Sequence, residues 1–175
     1  MTTFINIFAG PGTGTCKSIT ASLLFSAIKQ RGISAELITE FAKERVWAGD
    51  KEALNCQPYI TGNQIYRQFI VNNKVDYVIT DAPILLGAIY RGFGFSAFYE
   101  KAILHQFGLF RNTNILLIRN KEKYEQEGRV QSLEQAVAID NQIKRLLDIN
   151  SIPYLQVAMS LDNSHIQSIL DYAIV

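Results

Sequence analysis

Apolar residues in this chain fall into short continuous runs, separated by longer stretches where they recur every three or four positions. That pattern predicts strands alternating with helices. Phe4 to Phe8 reads as a first strand. Ser18 to Arg31 follows as a helix carrying Ile19, Leu23, Leu24 and Ile28, stopped by Gly32. Ala35 to Thr39 is a second strand, and a short helix with Phe41, Val46 and Trp47 leads to a loop at Gly49-Asp50. A helix over Ile60 to Asn73 precedes a third strand, Val75 to Thr80, which ends on Asp81 and is closed by Pro83. Asn114 to Ile118 is the most apolar strand, Gln131 to Ile149 an amphipathic helix, Tyr154 to Val157 a last strand and His165 to Ile174 a terminal helix. Nearly continuous apolar strands alternating with helices predict an α/β fold, a five-stranded parallel sheet covered on both faces. Ligands of such sheets bind beyond the strands' C-terminal ends. The loops to watch are those at residues 10–18, 39–44 and 80–83 and the region from Arg119.

The first of these loops carries the most specific signal. Gly10-Pro11-Gly12-Thr13-Gly14-Thr15-Cys16-Lys17-Ser18 joins a strand to a helix, with Gly10, Gly12 and Gly14 allowing the backbone to turn its N–H groups around an anion. Lys17 would reach the outer phosphates of a nucleoside triphosphate and Ser18 would ligate Mg2+, with Ile19 closing the segment that meets the nucleotide. Against the pattern G-x-x-x-x-G-K-[ST], Pro11 stands at the first glycine position and Cys16 at the last. The expectation is a three-layer P-loop NTPase fold that binds ATP or GTP with magnesium. The competing reading is a glycine-rich strand-to-helix turn with an incidental Lys-Ser.

Composition narrows the setting. The chain has 175 residues, enough for one α/β domain over 1–175 and short for two. A formal net charge of +1 gives no overall field for nonspecific nucleic-acid binding, so any polyanion contact must be local. Two cysteines, Cys16 and Cys56, do not make a disulfide framework, and a reduced cytoplasmic setting is expected. The run from Met1 enters a strand without room for a signal peptide, and no apolar run approaches a membrane span, so no membrane partner is expected.

Other residues are candidates by position. Asp81, after an apolar strand, could bind magnesium directly or through water, or merely cap the turn before Pro83. Glu40, at the end of the second strand, could take the proton of an attacking hydroxyl, or stand as a solvated helix-start carboxylate. Arg119 and Arg129 bracket a polar loop that would form a lid over about 119–130, bringing guanidinium groups to the transferring phosphate and expelling water. Residues 86–110 are rich in aromatics and glycine, Tyr90-Arg91-Gly92-Phe93-Gly94-Phe95 above all, and suggest a substrate-side insertion more than a regular helix. Tyr59, Tyr66 and Arg67 before the third strand, together with Tyr90, could stack on a base and pair with a substrate phosphate, though core packing is the alternative for any one ring. His105 and His165 lack the neighbours of a zinc site.

Taken together, the phosphate loop, Thr39-Glu40-Phe41-Ala42-Lys43-Glu44, Val78-Ile79-Thr80-Asp81-Ala82-Pro83 with Leu85-Leu86, and Arg119 through Gly128-Arg129 resemble the small AAA-like P-loop ATPase/kinase family of bacteria and bacteriophages. That family is related to the kinase domain of bifunctional nicotinamide-riboside kinase proteins. The layout is more distantly similar to deoxynucleoside and thymidylate kinases, which have a glutamate base after the second strand and lid arginines. The resemblance implies a kinase with Glu40 as base, Asp81 at the metal and Arg119 and Arg129 on the developing charge. The acceptor it implies is a nucleoside, a nucleotide or a hydroxymethylated pyrimidine, free or within DNA, handled by a monomer or homodimer. Pro11, Cys16 and the lack of an Asp-Arg pair after the third strand depart from the pattern. A reading of a different class is a nucleotide-binding regulatory ATPase, a switch whose lid and aromatic region contact a protein partner.

Overall fold

The computed structural model describes residues 1–12, 14–90, 97–120, 132–160 and 162–174. Strands β1 (Thr3–Phe8), β2 (Ala35–Ile38), β3 (Tyr77–Thr80), β4 (Arg111–Ile118) and β5 (Leu155–Ala158) form a parallel sheet in the order β2-β3-β1-β4-β5. The helices are α1 (Lys17–Gln30), α2 (Phe41–Trp47), α3 (Lys51–Asn55), α4 (Gln57–Val71), α5 (Leu86–Ile89), α6 (Ala97–Gly108), α7 (Leu133–Ile149) and α8 (Ser164–Ala173).

β1 occupies the centre because it is apolar on both faces. Ile5, Ile7 and Ala9 pack with Leu24 and Ile28 of α1 and Ile169 and Leu170 of α8. Phe4 and Phe8 pack on the other side with Ile103 and Phe107 of α6 and Ile143 and Leu147 of α7. Side chains alternate across a strand, so a run buried throughout requires helices on both sides, and the three layers follow. The strand order reverses about β1, which puts the loop after β1 between the ends of β3 and β4, the usual place for a ligand crevice.

Several elements differ from the sequence expectation. Residues 97–108 form a regular helix, because Ile103 and Phe107 are one turn apart and both buried, and Phe110 beyond them lies 4.7 Å from the Phe4 ring. The preceding run, 91–96, lies outside the described residues. The short α3 has no apolar periodicity to announce it; Asp50 caps it by accepting the N–H of Ala53 at 3.0 Å. Ile19 points to solvent, and the buried stripe of α1 is Thr20, Ala21, Leu24 and Ile28. Among the described residues, no helix is long and apolar enough to cross a membrane.

Candidate active site

The loop between β1 and α1 alternates its backbone. Gly12 (φ 91°), Gly14 (φ 85°) and Cys16 (φ 51°) take left-handed or positive-φ conformations, an alternation that folds successive N–H groups into a concavity. None of the described amides from Gly12 to Ser18 donates to a protein acceptor. Unpaired donors at a helix N-terminus form a receptor for an anion. Thr13, expected among the loop residues, lies outside the described residues. Thr15 is buried, and Lys17 opens α1 with its ammonium free of protein partners among the described residues.

Cys16 carries the cost of replacing the final glycine. A side chain at φ 51° costs about 1–2 kcal/mol that glycine does not incur. Part of that gain is offset by the freer unfolded chain, so Cys16→Gly is expected to stabilise the fold by about 0.5–1 kcal/mol. Chemical denaturation would show it as a higher midpoint at unchanged slope, and a lower midpoint would contradict the strain argument.

Two chemical groups expected from the sequence meet beside this loop. Ser18 Oγ donates to Asp81 Oδ2 at 2.5 Å, while Asp81 Oδ1 is buried without a hydrogen-bond partner. A carboxylate oxygen left bare at 4% residue exposure is costly unless something else occupies it. One hydroxyl and one carboxylate are hard oxygen donors, the set that suits magnesium with water filling its other positions. The residues present therefore fit the ion. No larger cluster of histidine, cysteine or acidic ligands exists among the described residues.

Glu40 sits where β2 hands over to α2, as the helix N-cap residue, but its side chain does not cap. The backbone around it is held by Gln64 of α4, whose Oε1 accepts from Phe41 N at 3.1 Å and whose Nε2 donates to Thr39 O at 3.3 Å. Tyr90, at the end of α5, senses the same space. Its pKa is raised well above the usual phenol value, first by burial and then by the negative charges of Glu40 and Asp140, with Arg119 pulling it down. Burial and the nearby carboxylates thus both favour the protonated phenol of Tyr90.

Tyr59 meets the Phe41 ring edge-on at 5.6 Å, and Arg67 lies over the same ring at 5.0 Å while pairing with Glu44 at 2.7 Å. Those residues gather around the start of α2, beside Glu40. Tyr66 is 62% exposed on the outer side of α4.

Arg119 directly follows β4, and its side chain is only 3% exposed. Nε donates to Asp140 Oδ2 at 2.6 Å, and Nη2 donates to Asp140 Oδ1 at 3.2 Å and to Pro11 O at 2.9 Å. Gly10 N–H is also taken by Asp140 Oδ1, at 2.6 Å. Arg129 and the rest of the expected lid, 121–130, lie outside the described residues. Gln64 and Asp140 escaped sequence reasoning. The signal for Asp140 is a carboxylate inside the helical stripe Ala136, Asp140, Ile143, Leu147, whose other members are fully buried. For Gln64 it is a buried polar position in the stripe Ile60, Gln64, Gln68.

A family model described as an AAA domain matches residues 4–163. No curated protein sequence matches the chain. The fold is similar to that of a deoxyadenosine kinase from M. mycoides, solved with the products dCMP and a flexible dCDP bound. The TM-score is 0.55 and the identity 14%, over 96% of this chain and 97% of that one. APE1195 is also similar, with a TM-score of 0.42 and 14% identity over 98% of this chain and 91% of that one. With the match spanning nearly its whole length and a five-stranded parallel sheet beneath the glycine-rich loop, the chain belongs to the AAA domain family and has the architecture of a P-loop ATPase- or kinase-like domain.

Proposed function

We propose that this protein is a magnesium-dependent phosphotransferase that moves the γ-phosphate of ATP to a hydroxyl or phosphate of a nucleoside, a nucleotide or a hydroxymethylated pyrimidine, free or in DNA. The observation that carries the reading is the Ser18–Asp81 contact at 2.5 Å, with a bare, buried Asp81 Oδ1, beside the amides of Gly12 and Gly14 to Ser18, which have no protein acceptor among the described residues. A nucleoside-sized acceptor agrees with the deoxyadenosine kinase whose fold the chain shares.

In this reading the amides of Gly12 to Ser18 and the Lys17 ammonium hold the triphosphate and neutralise charge on its outer oxygens. Ser18 and Asp81 would hold magnesium, which supplies further neutralisation of phosphate charge when bound. Glu40 accepts the proton of the acceptor hydroxyl as its oxygen bonds to the γ-phosphorus and ADP leaves. Its carboxylate is available for this because it caps no helix amide. Gln64 fixes its backbone on both sides, so that the base is preset. Tyr59, Arg67 and Tyr90 contribute the acceptor side of the cleft, and Arg119, its charge paired with Asp140, holds the Pro11 carbonyl at the loop's entrance.

The test is a screen for transfer of labelled γ-phosphate to nucleosides, nucleoside monophosphates, nicotinamide riboside and hydroxymethylpyrimidine-containing single- and double-stranded DNA. ADP should form in step with one phosphorylated acceptor. Glu40→Gln should lower kcat with a hydroxyl acceptor by about 10²–10⁴, leaving KM for ATP nearly unchanged. Slow hydrolysis indifferent to every acceptor would replace the kinase reading with that of a regulatory switch.

A further inference from the structure

Loops of this type ordinarily set their shape with glycines, and here two of the usual positions are Pro11 and Cys16. Pro11 has no N–H and cannot donate to a phosphate. The loop is instead tied from outside at three successive points. Gly10 N–H donates to Asp140 Oδ1 at 2.6 Å, Pro11 C=O accepts from Arg119 Nη2 at 2.9 Å, and Gly14 C=O accepts from Asn120 N at 2.9 Å. Asp140 is central to two of these ties, because it also receives Nε of Arg119 at 2.6 Å.

Position 10 has been shaped to this contact. A Cβ there would stand 2.7 Å from Asp140 Oδ1 and 2.9 Å from the Ala136 carbonyl, so Gly10 is needed to let α7 approach. The Arg119 guanidinium, with 3% of its side chain exposed, is held by the same carboxylate, whose own side chain is 20% exposed. A charged pair this dry keeps its geometry only while both partners are present.

From this we infer that Asp140 is a positioning residue for nucleotide binding: it presets the entrance of the phosphate loop and the Arg119 guanidinium in place of the missing glycines. The inference rests on the phosphate-loop reading of residues 10–18. Asp140 spends the Gly10 amide on itself, which leaves the amides from Gly12 onward as the anion's donors. Removing the carboxylate frees Pro11 and Gly10 to move, and the loop then spends part of the nucleotide's binding free energy on becoming ordered.

The measurement is equilibrium binding of ADP and ATP to the full chain, alongside kcat and KM for whichever acceptor is transferred. Asp140→Ala should weaken nucleotide binding about ten- to a hundredfold, the loss expected for hydrogen bonds to a charged group, with a smaller change in the acceptor's KM. Asp140→Asn keeps an acceptor for Gly10 N–H but loses the negative charge opposite Arg119, and should fall between Asp140→Ala and the parent. A purely structural Asp140 would lower Tm in both variants while nucleotide affinity stayed at the parent value well below Tm, and that result overturns the inference. If Asp140→Ala does not fold, parent-like affinity in Asp140→Asn overturns it equally. Lys17→Ala serves as the control: undiminished binding there removes the phosphate-loop reading itself, whereas weakened binding there with parent-like Asp140 variants removes only the role of Asp140.

Discussion

Lys17→Ala is expected to reduce γ-phosphate transfer by on the order of 10²–10³ in kcat/KM, the size of loss seen when one preorganised electrostatic donor is removed from a transition state. The fold should not suffer. Among the described residues the Lys17 ammonium has no hydrogen-bond or ion-pair partner, so its loss breaks no contact. Its position in fact opposes stability. Lys17 is the first residue of α1, whose first turn holds no acidic residue, and a cation there faces the positive end of the helix dipole. Alanine relieves that repulsion, so Tm should stay level or rise slightly while activity collapses. A charge set against the dipole with no partner among the described residues is what the proposed phosphate site asks of Lys17. Full transfer by a folded Lys17→Ala protein would falsify the assignment of the phosphate site.

The features legible in the sequence were those written in local spacing. β1 announces itself as a nearly continuous apolar run and β4 by its second half, Ile115 to Ile118, while its polar start at Arg111 to Thr113 does not; the parallel sheet follows from the alternation with helices. Asp81 stood out because it directly follows β3, and Lys17-Ser18 because they open the helix after the glycine-rich loop that leaves β1; the parallel sheet carries both segments to the same edge. What local spacing does not encode is which helix packs over which strand end. Gly10 and Asp140 are 130 positions apart, and Arg119 lies 108 from Pro11. An arginine after an apolar strand reads as a loop cation reaching for solvent or phosphate, yet here it is buried by a carboxylate from α7. α6 was hidden for another reason: Phe, Tyr and Gly crowd that stretch, and their weak helix propensity is overridden by the burial of Ile103 and Phe107.

Gly14→Ala should be the most damaging single-methyl change in the loop, through two separate effects. Gly14 adopts φ 85°, where a side chain costs about 1–2 kcal/mol. Its added Cβ would also stand 2.5 Å from the Asn120 carbonyl and 3.4 Å from Arg119 Cγ. The nearer atom is backbone, which cannot swing aside as a flexible side chain would, so overpacking adds about 1–3 kcal/mol. Gly32→Ala isolates the first effect, because Gly32 has φ 75° with nothing within 4 Å of its would-be Cβ. Gly32→Ala is therefore expected to lower Tm by only a few degrees, and Gly14→Ala by about 5–15 °C for a domain of this size. The clash has a second consequence, since relieving it pushes Asn120 away and breaks the Asn120 N to Gly14 O bond of 2.9 Å that holds the loop. ADP at a hundred times its Kd stabilises a protein by about 2.7 kcal/mol, and that ligand-dependent rise in Tm should persist in Gly32→Ala and vanish in Gly14→Ala. Equal Tm losses in the two variants, with the ADP shift intact in both, would mean that residues 14 and 120 need not touch for the loop to bind phosphate. The bond across the ends of β1 and β4 would then be incidental to the site.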